Sequence, residues 1–191
     1  MKKYFLFICL LVSVVSNAQN LKFEKGQKAP VFTAIGHNGS TISLEKITQK
    51  GAVILLFYRG YWCPFCNKQL SSLNDSLGLI QAKGATVLAI SPEKYESVEK
   101  TIGKTKASYE IISDTANIIL KQYGVNFTVD AQTVERYKQF NVDFSAVNAN
   151  SDNVLPVPAV FIIGTDGTFK YIYFNKDYRK RPSVKELLEQ L

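Results

Sequence analysis

A Cys-x-x-Cys pair between a buried strand and an amphipathic helix constrains this chain more than any other feature of its sequence. Residues 52–58 form a continuous apolar run, which is typical of a buried strand. After the pair, apolar side chains recur at steps of three and four, which predicts one helix with a core-facing stripe. The stripe consists of Cys66, Leu70, Leu73, Leu77 and Ile80. Both cysteines are therefore predicted to lie where a central strand turns into a helix.

This junction predicts different roles for the two thiols. Pro64 suits the first helical position, where no N–H donor is needed, so Cys63 falls at the helix N-cap. Unpaired N–H groups and the helix dipole favour negative charge there, so Cys63 is expected to be the exposed nucleophile with the lower pKa. Cys66 lies on the core-facing stripe, and we expect it to be the protected thiol that resolves a mixed disulfide.

Two other interpretations of the pair are a pair of structural cysteines and half of a zinc site. A structural zinc ion needs four ligands. The only other cysteine is Cys9, near the N-terminus, and the only histidine is His37, beside a predicted Asn38-Gly39 turn. A redox-active dithiol is therefore favoured, and neither a metal nor a cofactor is predicted.

The residues around the pair resemble a known family. Residues 57–66, Phe-Tyr-Arg-Gly-Tyr-Trp-Cys-Pro-Phe-Cys, are similar to the thioredoxin superfamily. Together with residues 26–32 and 157–164, they resemble its peroxiredoxin-like branch, the alkyl hydroperoxide reductase/thiol-specific antioxidant group. The resemblance implies an α/β, thioredoxin-like fold: a central mixed β-sheet with helices on both faces, an N-terminal hairpin and an insert before a late strand. It also implies a cis-proline, Pro158, at the start of that strand.

The remaining pattern is consistent with this architecture. Apolar runs at residues 85–90, 110–113, 159–163 and 168–174 predict further strands. Apolar residues at helical spacing predict one helix after each of the first two runs. Alternating strands and helices call for a parallel sheet with right-handed crossovers. The insert, residues 125–156, breaks the alternation with one predicted helix over residues 130–140 and a polar remainder. A flap over the dithiol and a simple decorative insert are both open interpretations, since segments this long are usually functional or mobile.

Residues 1–18 have the pattern of a secretory signal peptide. Two lysines precede an apolar run over residues 4–15, and a small-residue cleavage site ends at Ala18. The run is too short for a comfortable membrane span, so no stable membrane insertion is predicted. We expect a thioredoxin-like domain over residues 19–191, exported to the periplasm or the extracellular space, where disulfides persist.

The charge of the chain excludes little. It carries 23 lysines and arginines against 16 acidic residues, a modest excess of +7. A basic cluster near the end is expected to be a solvated loop that could attract an anionic partner, and nothing in the pattern indicates nucleic acid. The cluster consists of Lys176, Arg179, Lys180 and Arg181.

Three functions compete. The favoured prediction is an exported thiol-disulfide oxidoreductase that exchanges electrons with protein thiols and disulfides through Cys63 and Cys66, with an upstream electron donor or acceptor as a second partner. The alternative is a thiol-dependent peroxidase, a peroxiredoxin. The third is a non-catalytic thioredoxin-like binding module.

The peroxidatic pattern of the resembled family decides between the first two. That family carries Pro-x-x-x-Thr-x-x-Cys and an arginine just before a late strand. On this chain Cys66 takes the peroxidatic position, while the threonine, proline and arginine positions hold Cys63, Arg59 and Pro158. Because three of the four elements are replaced, the oxidoreductase is favoured.

The candidate substrate-binding residues of the oxidoreductase surround the pair. Pro158 would face the dithiol, and the backbone of Val157 would be free to pair with an extended substrate. Tyr61 and Trp62 either frame the site or pack in the core. Arg59 either lowers the pKa of Cys63 or is a surface residue. No buried acid is evident in the strand before the pair, so no general base is assigned.

Overall fold

The structure, a computed structural model, describes residues 21–148 and 152–191. The described strands are β1 (Thr33–Ile35), β2 (Thr41–Ser43), β3 (Ala52–Phe57), β4 (Ala85–Ser91), β5 (Glu110–Ser113), β6 (Asn126–Thr128), β7 (Val154–Pro156), β8 (Ala159–Ile163) and β9 (Phe169–Phe174). The described helices are α1 (Leu44–Thr48), α2 (Pro64–Asp75), α3 (Leu77–Ala82), α4 (Tyr95–Thr105), α5 (Ile118–Gln122), α6 (Ala131–Gln139), α7 (Phe144–Val147) and α8 (Val184–Glu189). The predicted signal peptide, residues 1–18, lies outside the described residues, and so does Cys9.

A five-stranded mixed sheet forms the centre of the fold, in the order β5-β4-β3-β8-β9. Strands β3, β4 and β5 run parallel, whereas β8 and β9 are antiparallel to their neighbours. The predicted apolar run is β3, which lies at the middle of the sheet and is buried on both faces. A central parallel strand needs cover on both faces, which explains why this run is apolar at every position.

Helices cover both faces of this sheet, as predicted. Alternate side chains of β3 point to opposite faces. On one face Val53, Leu55 and Phe57 pack with residues of α1 and α5. On the other face Ile54 and Leu56 pack with residues of α2, α4 and α8. The α/β, thioredoxin-like fold with a central mixed sheet is therefore confirmed.

The N-terminal hairpin is also confirmed. Strands β1 and β2 pair antiparallel, with Thr33 opposite Ser43. The connecting turn contains Gly39 at a φ of +82°, a backbone conformation that glycine adopts without steric cost. His37 of this turn lies 3.2 Å from a carboxylate oxygen of Glu110. The hairpin is thereby tied to the edge strand β5, far along the chain from the dithiol.

The helix that follows the cysteines is interrupted, although one continuous helix was predicted. It is divided into α2 and α3 at Ser76, whose φ of −106° and ψ of 9° lie outside the helical region. The end of α2 is fixed from outside, because the Asn74 side chain accepts hydrogen bonds from the backbone and the hydroxyl of Ser108. The apolar stripe continues across the break, since Leu73 and Ile80 are both fully buried.

The insert contains more structure than its sequence predicts. Helix α6 matches the predicted helix and is N-capped by Asp130, whose carboxylate accepts the Thr133 N–H at 2.9 Å. Strands β6 and β7 pair antiparallel and frame the insert, and α7 forms a further short helix inside it. The prediction of a polar, irregular remainder is therefore wrong for these segments.

The peptide bond before Pro158 is not cis. No cis peptide bond occurs among the described residues, so this prediction is wrong. The Val157 N–H donates to the Val125 carbonyl at 2.7 Å, which continues the β6–β7 ladder towards β8. The Val157 N–H is thus engaged by the insert. The expectation that the Val157 backbone is free to pair with a substrate is wrong for this donor.

Helix length bears on the expectation about membrane insertion. Within residues 21–148 and 152–191, no helix is both long enough and apolar enough to cross a membrane.

Candidate active site

The cysteine pair lies at the predicted strand-to-helix junction. Cys63 is the N-cap of α2 and Pro64 occupies the first helical turn. The Cys63 N–H donates to the Gly60 carbonyl at 3.0 Å, which closes a tight turn just before the helix. Both cysteines are free thiols, and their Sγ atoms lie 2.7 Å apart in hydrogen-bond contact. The geometry can support formation of a disulfide within one helical turn.

Neither thiol is exposed. Cys63 is 1% exposed and Cys66 is 0% exposed, so the expectation of an exposed Cys63 at the helix tip is wrong. Trp62 packs beside the pair, Tyr137 and Phe144 of the insert pack against Trp62, and Arg181 of the loop before α8 reaches Cys66. A reagent must pass this cover before it meets sulfur.

Arg59 is a buried cation rather than a surface residue. Its side chain is 5% exposed, and its guanidinium lies 4.7 Å from the ring centre of Trp62 and 4.3 Å from that of Tyr178. It also donates a hydrogen bond to the Tyr137 hydroxyl at 2.5 Å. Aromatic faces and a hydroxyl oxygen therefore replace water around this charge.

The two aromatic residues before Cys63 are both half-buried. Trp62 packs against Tyr137 of α6 and Phe144 of α7, with ring centres 5.1 Å and 5.5 Å away. Tyr61 lies under the ammonium groups of Lys100 and Lys104, at 5.2 Å and 5.1 Å. Both helices of the insert thus contact the residue next to Cys63. This contact favours the flap interpretation of the insert over the decorative one.

Arg181 is a site residue that the sequence did not reveal. Its Nη2 lies 3.5 Å from the Sγ of Cys66, 115 positions earlier in the chain. It belongs to the basic cluster that was expected to be a solvated loop. Its neighbour Arg179 meets that expectation, since it is exposed and paired with Asp177 at 2.8 Å. The basic cluster was the only indication of this cation in the sequence. Its spacing does not predict which of its side chains contacts Cys66.

The two thiols have opposite pKa shifts. The hydrogen bond with Cys66 raises the pKa of Cys63, and burial raises it further. Burial also acts to raise the pKa of Cys66, but the hydrogen bond from Cys63, the Arg181 charge and the Arg59 backbone N–H outweigh it and lower that pKa to about 6. The expected order is therefore reversed, because the stabilising donors converge on the second cysteine.

A buried acid lies next to the pair, although none was evident from the sequence. Glu93 follows the neighbouring strand β4 and is 0% exposed. Its carboxylate accepts the Tyr61 N–H at 2.7 Å. Glu93 is not in the strand before the pair: it follows β4, which is parallel to β3, so both strands end at the same edge of the sheet.

Pro158 and Val157 are predicted site residues that form no hydrogen bond with the cysteine pair in the described part of the chain. Both are buried. The structure therefore brings together Cys63, Cys66, Arg59 and Trp62 of the predicted set. Tyr61 joins them through its backbone, and the unpredicted residues are Arg181 and Glu93.

Comparison with known proteins identifies the family. The AhpC/TSA family matches residues 25–172. The match covers most of the chain, including the whole central sheet except the end of β9. This chain belongs to the AhpC/TSA family, the peroxiredoxin-like branch that its sequence resembles.

Curated relatives are peroxiredoxins. Peroxiredoxin Q, chloroplastic, from Populus jackii is 34% identical over 113 residues, which are 59% of this chain and 53% of that protein. The putative peroxiredoxin bcp of Coxiella burnetii is 32% identical over 105 residues, 55% of this chain and 69% of that protein. Peroxiredoxin Q, chloroplastic, from Arabidopsis thaliana is 38% identical over 104 residues, 54% of this chain and 48% of that protein. The chain thus spans about half the length of the two plant relatives.

These relatives overturn the predicted location. Two are named chloroplastic and the third is a bacterial peroxiredoxin, and none of their names indicates a periplasmic or extracellular protein. The prediction of an exported protein is therefore wrong by this comparison. It rested on residues 1–18, which lie outside the described residues.

Solved structures show the same fold. The crystal structure of peroxidoxin BcpB from Mycobacterium tuberculosis matches with a TM-score of 0.66 at 18% identity, covering 87% of this chain and 94% of that one. The reduced 2-Cys peroxiredoxin of Plasmodium vivax matches with a TM-score of 0.65 at 20% identity, covering 86% and 92%. At these identities the likeness supports the fold alone.

Proposed function

We propose that this chain is a thiol-dependent peroxidase of the peroxiredoxin type, with Cys66 as the peroxidatic thiolate and Cys63 as the resolving thiol. The observation that carries the proposal is the set of donors at Cys66: the Arg181 guanidinium, the Arg59 backbone N–H and the Cys63 thiol. A peroxidase needs a thiolate at neutral pH and donors around the oxygens of the bond that breaks. The relatives named as peroxiredoxins support the same choice.

Arg181 answers the main objection to this function. The resembled family carries an arginine before a late strand, and this chain has Pro158 there. Arg181 approaches Cys66 from the loop before α8 instead. A guanidinium presents several N–H donors in one plane, so one edge can hold the thiolate while another donates to a peroxide oxygen.

The proposed cycle begins at Cys66. Its thiolate attacks one oxygen of a hydroperoxide, the O–O bond breaks, and the sulfur is oxidised to sulfenic acid while an alcohol or water leaves after taking up a proton. The Cys63 sulfur then attacks the sulfenic sulfur, which forms the Cys63–Cys66 disulfide and releases water. Their Sγ separation of 2.7 Å means that this step needs little rearrangement.

An external dithiol completes the proposed cycle. It reduces the disulfide by exchange, takes up the oxidation as its own disulfide and returns two thiols to the site. A protein donor of the thioredoxin type is the proposed partner. Exchange with protein thiols, the favoured prediction from the sequence, is thereby kept as the second half of the cycle. Burial of both thiols argues for a small oxidant in the first half.

Stopped-flow fluorescence of the reduced protein tests the proposal, because Trp62 is the only tryptophan and adjoins Cys63. We expect a fast response to micromolar hydrogen peroxide in the wild type. Cys63→Ser should retain the fast first step, whereas Cys66→Ser should lose it. Mass spectrometry should find sulfenic acid on Cys66 in the Cys63→Ser variant.

Reduction of insulin disulfides by the reduced protein is the matched control. If Cys66→Ser keeps a fast peroxide response while Cys63→Ser loses it, the assignment of the two thiols is wrong. If neither variant differs from an ordinary thiol in its reaction with peroxide, but the wild type reduces insulin rapidly, the oxidoreductase function is correct instead.

A further inference from the structure

The buried carboxyl of Glu93 is an ionisable group beside the dithiol turn that the proposed cycle does not use. Its Oε1 accepts the Tyr61 N–H at 2.7 Å. Its Oε2 accepts the hydroxyls of Thr101 at 2.9 Å and Ser91 at 3.2 Å. A fully buried carboxylate survives only where donors replace water, and here both oxygens have them.

The Tyr61 N–H belongs to the turn that carries the dithiol. Gly60, one position earlier, accepts the Cys63 N–H at 3.0 Å through its carbonyl. Arg59, two positions earlier, directs its own backbone N–H to the Cys66 sulfur. The Glu93 carboxylate therefore holds the middle of a turn whose two ends contact Cys63 and Cys66.

Gly60 shows how closely the acid and the turn fit. Its φ of +149° is a conformation that residues with side chains rarely adopt. A Cβ at this position would lie 3.2 Å from the Glu93 Oε1 and 2.6 Å from the Trp62 Nε1. A side chain at Gly60 would clash with the Trp62 ring and crowd the carboxylate, so glycine lets the turn, Trp62 and Glu93 pack together.

Glu93 is itself held from two other segments. The Ser113 hydroxyl, at the end of β5, donates to the Glu93 carbonyl. The next residue, Lys94, donates its N–H to the Val147 carbonyl of α7 at 3.0 Å. The carboxylate is thus fixed relative to the sheet and the insert, so it can act as a rigid anchor for the turn.

The charge state of this anchor changes near neutral pH. Burial raises the pKa of Glu93 to about 7, against the lowering effect of the Tyr61 N–H and the neighbouring hydroxyls. The phenol of Tyr58, the residue that follows β3, faces it, and the pKa of this phenol is raised by burial and by the Glu93 charge. Besides the Arg59 guanidinium within the turn, Lys104 donates to the Tyr61 carbonyl at 3.3 Å and Lys100 lies over the Tyr61 ring.

We propose that Glu93 is a positioning residue for the dithiol: its carboxylate fixes the turn of residues 59–62, and this turn presents the Arg59 N–H to the Cys66 thiolate. The effect opposes simple electrostatics, since a nearby negative charge on its own disfavours a thiolate. The proposal rests on the proposed function only in taking Cys66 as the ionised thiol. It concerns the ionisation of the site and holds whichever oxidant the site reduces.

Two substitutions separate positioning from charge. Glu93→Gln removes the charge but keeps an oxygen for the Tyr61 N–H, whereas Glu93→Leu removes both. We expect thiolate absorbance at 240 nm to give a Cys66 pKa that is unchanged or lower in Glu93→Gln and higher by about one pH unit in Glu93→Leu. Thr101→Val removes a donor to the other carboxylate oxygen but leaves the bond to the Tyr61 N–H, so it should raise the Cys66 pKa by less than Glu93→Leu does. A lower Cys66 pKa in both Glu93 variants would overturn the proposal.

An NMR titration decides the matter even if Glu93→Leu does not fold. In a ¹⁵N-labelled variant with Cys63→Ser and Cys66→Ser, no thiol titrates at the site. The Tyr61 amide proton should still move downfield as pH rises through neutrality, and Glu93→Gln in the same background should abolish that shift. A Tyr61 amide that does not titrate between about pH 5.5 and pH 9 would show that Glu93 does not control the turn. Neither measurement uses a peroxide, so failure of the peroxidase proposal and failure of this one are distinguishable.

Discussion

The surroundings of the two thiols come from two different regions of the molecule, although the sulfurs lie only 2.7 Å apart. The loop before α8 reaches Cys66 and brings the guanidinium of Arg181 to 3.5 Å from its sulfur. The insert lies on the Cys63 side, where Tyr137 and Phe144 pack on Trp62 and Tyr137 accepts a hydrogen bond from Arg59. The first region supplies charge and the second supplies cover.

Two arginines illustrate the difference. In the described part of the chain, neither Arg59 nor Arg181 forms an ion pair with a carboxylate. Arg181 directs its charge at Cys66 and contributes to lowering that pKa. Arg59 is surrounded by aromatic rings, and its charge lowers the pKa of Cys63 by less than the hydrogen bond with Cys66 and burial raise it. The Arg181 charge thus favours ionisation of Cys66, and the aromatic residues of the insert limit which reagents reach the thiols.

The largest expected effect comes from removing the aromatic packing of the insert on Trp62. Phe144 is 1% exposed and contacts both Trp62 and Tyr137, so Phe144→Ala should destabilise the insert by about 3–5 kcal/mol. We expect Trp62 emission to shift to the red and Cys63 to react faster with a bulky maleimide. The Cys66 pKa should not change, because the charge that lowers it comes from the other region.

Phe140→Ala is the matched control for this substitution, since Phe140 is 73% exposed. It should leave denaturant unfolding and maleimide reactivity unchanged. If Phe144→Ala moves the Cys66 pKa as far as it moves the maleimide rate, charge and cover are not separate functions of the two regions.

The next largest effect is expected from removing the Arg181 charge beside Cys66. Arg181→Leu should raise the Cys66 pKa towards that of a free thiol, ~8.5. Below that pH the thiolate becomes scarce and a donor to the peroxide is lost, so we expect the peroxide reaction at pH 7 to slow about 10²-fold. The pH profile of the rate constant checks the sign, because the part of the loss due to ionisation should disappear above the raised pKa.

Arg179→Leu tests whether the charge must lie at the sulfur. It removes the same charge from the same loop, but Arg179 is exposed and paired with Asp177. Its peroxide rate should equal that of the wild type. An equal loss in both arginine variants would mean that the general positive field of the loop, and not the contact with Cys66, activates the thiol.

The third effect separates the two thiols directly. In Cys63→Ser the remaining Cys66 keeps Arg181 and the Arg59 N–H, so its pKa should stay below that of a free thiol. In Cys66→Ser the remaining Cys63 is buried beside an uncharged partner, so its pKa should lie above ~8.5. Thiolate absorbance should place the two values at least about two pH units apart. The reverse order would restore the assignment that the helix N-terminus predicts.

The central sheet and the position of the pair could be predicted from local sequence. The apolar run of β3 has to be buried on both faces, and the apolar stripe of α2 has to face the core. The Asn38-Gly39 turn similarly predicts the hairpin of β1 and β2. Each of these inferences depends on residues that lie close together in the chain.

The roles of the two thiols could not be predicted, because contacts formed in the folded chain determine them. A helix N-terminus favours the Cys63 thiolate locally. The opposing contributions come from the hydrogen bond between the two thiols, which the sequence does not reveal, and from Arg181, which lies far away in the chain. Glu93 was missed for the same reason, since only the parallel pairing of β3 with β4 brings it to the turn.

The smallest expected effect is on the hydrogen bond between Arg59 and Tyr137 of the insert. Tyr137→Phe removes the hydroxyl that accepts from Arg59 but keeps the ring that packs on Trp62 and Phe144. Loss of a hydrogen bond from a charged group should cost about 1–2 kcal/mol in the docking of α6, seen as faster hydrogen exchange of the α6 amides. The aromatic faces still surround the guanidinium, so its position should hold. We therefore expect the Cys66 pKa to stay constant and the peroxide rate to change by less than about threefold. A loss as large as that of Arg181→Leu would mean that Arg59, and with it the insert, activates the thiol as well as covering it.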